Sequence, residues 1–345
     1  MFKVLKFKNA VIGIIVIMLI GIMTIFPDVC VQGAKEGLML SLFTVFPSVF
    51  PFMVLSRYIT LSGVININFP CADKLSNFLF GLPKEALMPF ILGTISGYPT
   101  GCAVICDMVD KKIITKDEGE HLLPFCNNCS PLFIIGTVGN VIIGNTYAGY
   151  VLFLVHITSA IITGMILKSK VPYKKCRNDA YIVPGNDNPF SAAVSASVNA
   201  TLTICGYITL FSVITKIIIF ANEKFTFACG FLEMTNGINH IAELNIPSVF
   251  KLALISAILG FSGICVLLQT DDFTSKRNMS VKKYFTGKIF FSIISFLLTF
   301  TIFSSTQSVS VFNPCIQNDI SIFGIFSTLL TLLTILIITV KNKLR

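Results

Sequence analysis

Apolar residues along this chain fall in long runs, divided by short polar or basic connections, and most runs are long enough to cross a bilayer. The first covers residues 10–26, behind Lys3, Lys6 and Lys8. No small-x-small cleavage site follows it, so it reads as an uncleaved first span with its amino end inside. A second run, 37–59, is interrupted by Pro47 and Pro51. Residues 71–82 suit a short amphipathic helix lying in the interface. A broken apolar segment (86–109) and a charged loop (110–121) come next, then spans over 122–143 and 147–167. After the polar, basic linker 168–189 comes a Ser/Thr/Asn-rich run, 190–220. A polar interruption within 227–247 precedes further spans over 248–269, 288–303 and 320–340.

Two of these segments have centres that a plain spanning helix would not choose. One is Gly97-Tyr98-Pro99-Thr100-Gly101; the other carries Asn127-Asn128 and Ser130-Pro131. Proline removes an amide donor and clashes with the preceding turn, and glycine leaves the backbone loosely determined. In hydrocarbon the freed backbone groups need protein or water to satisfy them. Such breaks therefore suit the wall of a cavity, and the stretch 93–139 reads as half of a transport site.

Charge changes the picture by giving orientation. Lys168, Lys170, Lys174, Lys175 and Arg177 mark one connection as cytoplasmic, and Lys276, Arg277, Lys282, Lys283 and Lys288 mark another. The tail carries Lys341, Lys343 and Arg345, whereas 144–149 and 304–319 hold no Lys or Arg and suit the outside. These assignments agree only if 86–109 enters and leaves from the cytoplasmic side and 227–247 from the outside. The expected fold is an all-α polytopic membrane protein with inverted-topology repeats, each with spanning helices around a re-entrant, broken-helix hairpin. Its units are 1–36 (first span and external loop), 37–167 (first repeat and a linking span), 168–189 (cytoplasmic linker), 190–270 (second repeat) and 271–345 (two spans and a basic tail). Both termini are expected in the cytoplasm.

Composition excludes a soluble domain. Of 345 residues, 54% are hydrophobic and 12% charged, and mean hydropathy is +0.82, where soluble domains carry about a quarter charged residues. The net charge of +9 lies mainly in the connections, which makes it topology information and excludes nucleic acid as a partner. The 11 cysteines, an odd number spread through apolar runs, read as small buried residues.

Glu233, within Gly230-Phe231-Leu232-Glu233-Met234-Thr235-Asn236-Gly237, is the most informative acid. It has no Lys or Arg near it in sequence, and a carboxylate at membrane depth is a functional candidate by default. Three roles stay open for it: binding a coupling proton or sodium ion, capping the opposing hairpin, or sitting as a solvated loop acid. Asp107 adjoins the charged loop and reads as interfacial. Cys102 with Cys106, and Cys126 with Cys129, have metal-like spacing, yet both pairs sit in apolar runs without nearby carboxylate or His; packing is the preferred reading and no metal or cofactor is expected. His156 and His240 read as packing or hydrogen-bonding residues. No GxxxxGK[ST], GxSxG or HExxH pattern occurs, so neither an ATP-driven pump nor a hydrolase is indicated.

The motifs at 96–101, 125–139 and 230–237 resemble those of the YlbJ (SpoVV) family of sporulation integral membrane proteins, within the nucleoside-recognition, or Gate, domain superfamily. The resemblance covers roughly residues 46–270 in order and spacing. It departs at Cys129-Ser130, where smaller residues such as Ser-Gly are expected. It implies a place in the outer forespore membrane of an endospore-forming bacterium, moving dipicolinic acid out of the mother cell. For such a flat aromatic dianion, helix amino termini near Gly97, Gly101 and Ser130 would supply donors and positive potential. Tyr98 would stack on the ring, and Thr100, Asn127, Asn128 and Ser130 would donate to carboxylates, with Thr235 and Asn236 on the facing hairpin. The plainer reading is that the two Asn tie broken helices together.

The expected function is thus a secondary transporter or facilitator, not an enzyme, with a small anion, a coupling proton or sodium ion, bilayer lipid and further copies of the chain as candidate partners. A nucleoside or ion transporter of the same superfamily is the alternative within that class. A membrane-embedded enzyme lacks a convincing pair of catalytic groups, and a non-transporting sporulation protein would pack its breaks without a cavity.

Overall fold

A computed structural model describes residues 2–62, 71–168, 188–222 and 225–305. The expected last span, most of the basic linker and most of the 304–319 loop lie outside the described residues. Every element among those described is helical, and five helices are long and apolar enough to cross a membrane, or six if one bent pair counts as a span.

α1 (Phe2–Ile25) leads at Pro27 into α2 (Pro27–Leu40). Ile14, Ile17 and Ile25 of α1 are exposed, as an apolar helix bordered by lipid would have them. α2 runs through a π turn, Ser41–Val45, into α3 (Phe46–Ser62). Pro47 and Pro51 were expected to interrupt this span, but α2, the π turn and α3 form one 36-residue helix. The wider turn precedes Pro47, and the Ser48 hydroxyl donates to the Thr44 and Val45 carbonyls at 2.7 and 3.0 Å, so the chain accommodates the first ring without ending the helix; Pro51 sits inside α3. α4 (Ala72–Phe80) buries Ala72, Ser76 and Phe80 and exposes Leu75 and Phe78. That is the amphipathic pattern read from the sequence.

α5 (Leu87–Ser96) and α6 (Thr100–Asp110) fold back on each other through Gly97-Tyr98-Pro99. Gly97 has φ +84°, which glycine adopts without strain. The fold-back is close because both arms carry glycine where they touch: a Cβ on Gly93 would lie 2.8 Å from the Gly101 Cα. The charged stretch after Asp110 was expected as a loop. It instead starts α7 (Lys116–Cys126), because Thr115 and Glu118 form a reciprocal capping box. α7 breaks at Asn127–Ser130 and resumes after Pro131 as a π-helix, Leu132–Ile142. α8 (Thr146–Ile166) and α9 (Pro189–Ala221) each begin on an Asn side chain that accepts a first-turn amide.

α10 (Thr226–Leu232) and α11 (Met234–Glu243) form a second fold-back, with Gly230 against Gly237. The span expected over 248–269 is found as the 28-residue stretch Ser248–Ser275, divided into α12 (Ser248–Phe261) and α13 (Gly263–Ser275) by Ser262 and Gly263 at φ +71° and +84°. α14 (Lys282–Ser305) completes the described chain.

α12 packs on α14, α9 on α2 and α3, and the π-helix on α8. One core cluster joins the π-helix, α8, α11 and α12. A second joins α4 to α7 with α14. At one end of the bundle the charges pair: Arg57 with Asp107 at 2.7 Å, Arg277 with Asp110, and Glu120 with the Ser280 amide at 2.8 Å. Asp107, read as interfacial, is therefore buried in an ion pair with α3, which an acid so near the apolar body of the bundle needs.

Candidate functional site

Each fold-back ends in a tip, and each tip rests on a broken helix. A Cβ on Gly97 would lie 2.8 Å from the Ser130 Cβ, so the first tip meets the break after α7. A Cβ on Gly263 would lie 3.2 Å from the Leu232 carbonyl oxygen, so the second tip meets the break between α12 and α13. Both tips border one cavity of about 50 Å³, to which the π turn region of α2–α3 contributes Val45 and Ser48 and α13 contributes Gln269. That volume holds a few water molecules.

Of the candidate residues, Gly97, Tyr98, Ser130, Glu233 and Thr235 line this cavity. The Ser130 hydroxyl accepts from the Phe133 amide at 3.2 Å and so caps the π-helix. Glu233 is 3% exposed, and its two carboxylate oxygens accept from the Thr235 and Asn236 amides at 3.1 and 2.8 Å. It caps its own second arm, α11, rather than the opposing fold-back, and it is buried rather than a solvated loop acid. The amide positions at a helix start carry positive potential, which favours this carboxylate.

Thr100, Gly101, Asn127 and Asn128 do not line the cavity. Gly101 meets the Cys126 carbonyl, which wedges between α5 and α6. Asn127 donates to the Thr270 hydroxyl at 3.1 Å and to the Tyr284 hydroxyl at 3.3 Å. Asn128 donates to the Thr94 hydroxyl at 3.1 Å and the Phe125 carbonyl at 2.7 Å. Both Asn side chains thus tie broken helices together, as buried polar groups between spans do. Their side-chain Oδ1 atoms, and the hydroxyl of Thr100, have no hydrogen-bond partner among the described residues. Asn236 lines a different, larger cavity of about 590 Å³ between α2, α9 and α11, and it donates to the Ser212 hydroxyl at 3.2 Å.

The residue that sequence reasoning misplaced is Lys288. Assigned to a cytoplasmic connection, it lies inside α14 at 1% exposure. Its ammonium donates to the Asn127 carbonyl at 2.7 Å and to the Tyr98 hydroxyl at 3.0 Å. The rings of Tyr98, Tyr284 and Phe291 surround it, 4.5–5.5 Å from centroid to nitrogen. The Tyr98 hydroxyl in turn donates to the Leu259 carbonyl at 3.1 Å, and Tyr284 meets the Ser262 hydroxyl at 3.1 Å. One polar network therefore joins the first tip, both helix breaks and α14.

His156 accepts from the Cys129 amide at 3.1 Å, satisfying a donor freed by the break. The Cys102 and Cys106 thiols face the Thr270 and Phe273 carbonyls of α13, and among the described residues no three metal-type ligands gather.

The fold and its composition define an all-helical, multi-pass integral membrane protein. The chain is similar to the sporulation integral membrane protein YlbJ of Bacillus subtilis (strain 168), 23% identical over 305 residues that cover 76% of this chain and 75% of that protein. No protein-family model and no solved structure matches the chain.

Proposed function

We propose that the chain is a secondary transporter or facilitator for a small anionic solute, with its site where the two helix tips meet. The observation that carries this reading is a cavity bordered by both tips, each seated on its own broken helix. Broken helices at a shared cavity are how many secondary transporters offer backbone donors and acceptors to a solute within the bilayer. On this reading α5–α6 and α10–α11 are re-entrant hairpins of opposite orientation, and α7 with the π-helix and α12 with α13 are their paired broken spans. The charged end with Arg57, Lys111 and Arg277 then faces the cytoplasm.

The family resemblance names the solute as dipicolinate and the setting as the outer forespore membrane; YlbJ is by its name a sporulation integral membrane protein. The cavity of about 50 Å³ is smaller than pockets that hold small-molecule ligands, about 300–1,000 Å³. The reading therefore takes this conformation as closed around the site. The same volume favours a second reading, a non-transporting membrane protein whose breaks only pack.

Purified full-length protein in lipid vesicles separates the two. Labelled dipicolinate should enter protein-containing vesicles faster than protein-free ones and should show counterflow against an internal pool. Uptake equal to that of empty vesicles for dipicolinate and for other small anions would leave the packing reading standing.

A further inference from the structure

We infer that Lys288 is the cationic group that makes the cavity between the helix tips select anions over neutral solutes, acting through the Tyr98 hydroxyl. The inference rests on the transport reading and adds to it the group that sets charge preference.

A lysine is a costly choice for this position. It is fully enclosed by α14, the first tip and the break after α7, and its polar partners are one carbonyl and one hydroxyl. No carboxylate lies within ion-pair distance of it among the described residues. An ammonium removed from water is expensive unless another charge accompanies it. Rings stacked around the cation offset part of that cost but leave its charge uncancelled. A structural tie between α14 and the Asn127 backbone carbonyl needs only a neutral donor, which an unprotonated amine also provides; what lysine adds is an ammonium that an entering carboxylate can pair with.

Geometry says where that partner sits. Tyr98 both hydrogen-bonds to Lys288 and lines the cavity. Its hydroxyl receives a hydrogen bond from the ammonium and passes its own proton to Leu259, so a negative group in the cavity meets the lysine across one side chain in a low-dielectric setting. The acid that shares the cavity, Glu233, already has both oxygens on the α11 amides. Its charge is set against a helix amino terminus, and it does not need the lysine. The solute class that fits is a carboxylate-bearing anion rather than an uncharged nucleoside.

The test compares two probes of the same shape, dipicolinate and the neutral pyridine-2,6-dicarboxamide. Their binding to the full chain in lipid nanodiscs is measured by titration calorimetry. Wild-type protein should prefer the dianion. Lys288→Met should weaken dianion binding by about tenfold or more while dicarboxamide binding changes little, because a buried charge pair loses one member. Lys288→Arg should keep the preference. A Lys288→Met protein that loses both probes alike has lost a structural tie, and that result overturns the inference. So does one that keeps its dianion preference. Should Lys288→Met fail to insert, Tyr98→Phe keeps the cation and removes the link, and an unchanged preference there overturns the inference equally. Wild-type protein that binds neither probe and transports no anion would remove the transport reading, and this inference with it; retained transport with an unaltered Lys288→Met preference would remove only the role given to Lys288.

Discussion

Glu233 and Lys288 are the two buried charged side chains of this centre, and they are satisfied in opposite ways. Glu233 receives two backbone amides, which offset part of the cost of burying a carboxylate without a cation. Glu233→Gln retains one acceptor oxygen and sets its NH2 against the second amide, leaving a buried donor unpaired at a cost of about 1–3 kcal/mol of stability. If the carboxylate also carries a coupling proton or ion, driven uptake should collapse in this variant while counterflow survives. Normal rates in both vesicle assays would reduce Glu233 to a helix cap. The acid was legible in the sequence because it stands alone in Gly230-Phe231-Leu232-Glu233-Met234. The lysine was not. It follows Lys282 and Lys283 at the start of an apolar run, where positive charge ordinarily marks a cytoplasmic connection. Only the six residues of α14 that carry it into the bundle distinguish it from its neighbours. Asn127 and Asn128 show the reverse case: residue type pointed to a polar role, yet the partners that make them ties, Thr94, Thr270 and Tyr284, lie on other elements.

At the scale of elements, the chain announces a break by proline and glycine, and it does so unevenly. Gly97-Tyr98-Pro99 and Asn127-Asn128 with Pro131 were both readable, and both end helices. Ser262-Gly263 was not, because it carries no proline and sits between apolar stretches that together have the length of one span. Pro47 and Pro51 misled in the other direction: a π turn precedes the first, and the second sits inside α3 without ending it. What makes the first fold-back rigid is contact rather than propensity: the Cys126 carbonyl lies against Gly93 and Gly101, leaving no space for a side chain. Gly101→Ala should therefore lower the thermal midpoint of the detergent-solubilised protein, since forcing a methyl into a packed site costs about 1–3 kcal/mol. Gly206 of α9 is the control, because a Cβ there meets nothing within 4 Å. Gly206→Ala should be neutral or slightly stabilising, by up to about 1 kcal/mol. Equal midpoints for the two variants would mean that α5, α6 and α7 are not packed as closely as described.

For the whole molecule the decisive matter is which ends share a side of the membrane. Arg57, Asp107, Asp110, Lys111, Glu120 and Arg277 gather where α3, α6, α7 and α13 end or begin. Glu36, Lys216, His240 and Glu243 border the larger cavity formed by α2, α9 and α11. An ordinary helix pair placed across a bilayer would begin on one side and return to it only by crossing twice in full. α5 and α6, at 10 and 11 residues, are each about 15–17 Å long at helical rise, half of a hydrocarbon core about 30 Å thick. Neither can cross alone, and with their tips buried at Tyr98 they should return to the side they left. α10 and α11, at 7 and 10 residues, should do so from the opposite side. Single cysteines at Lys84 and Lys116, before α5 and after α6, should then react with a membrane-impermeant maleimide from the cytoplasmic face only, in a background freed of the native cysteines. Cysteines at Asn222 and Glu243, before α10 and at the end of α11, should react from the external face only. Labelling of Lys84→Cys and Lys116→Cys from different faces would make α5–α6 a crossing rather than a hairpin. Labelling of all four from one face would remove the opposed orientation on which an inverted repeat, and with it a site at mid-membrane depth, depends.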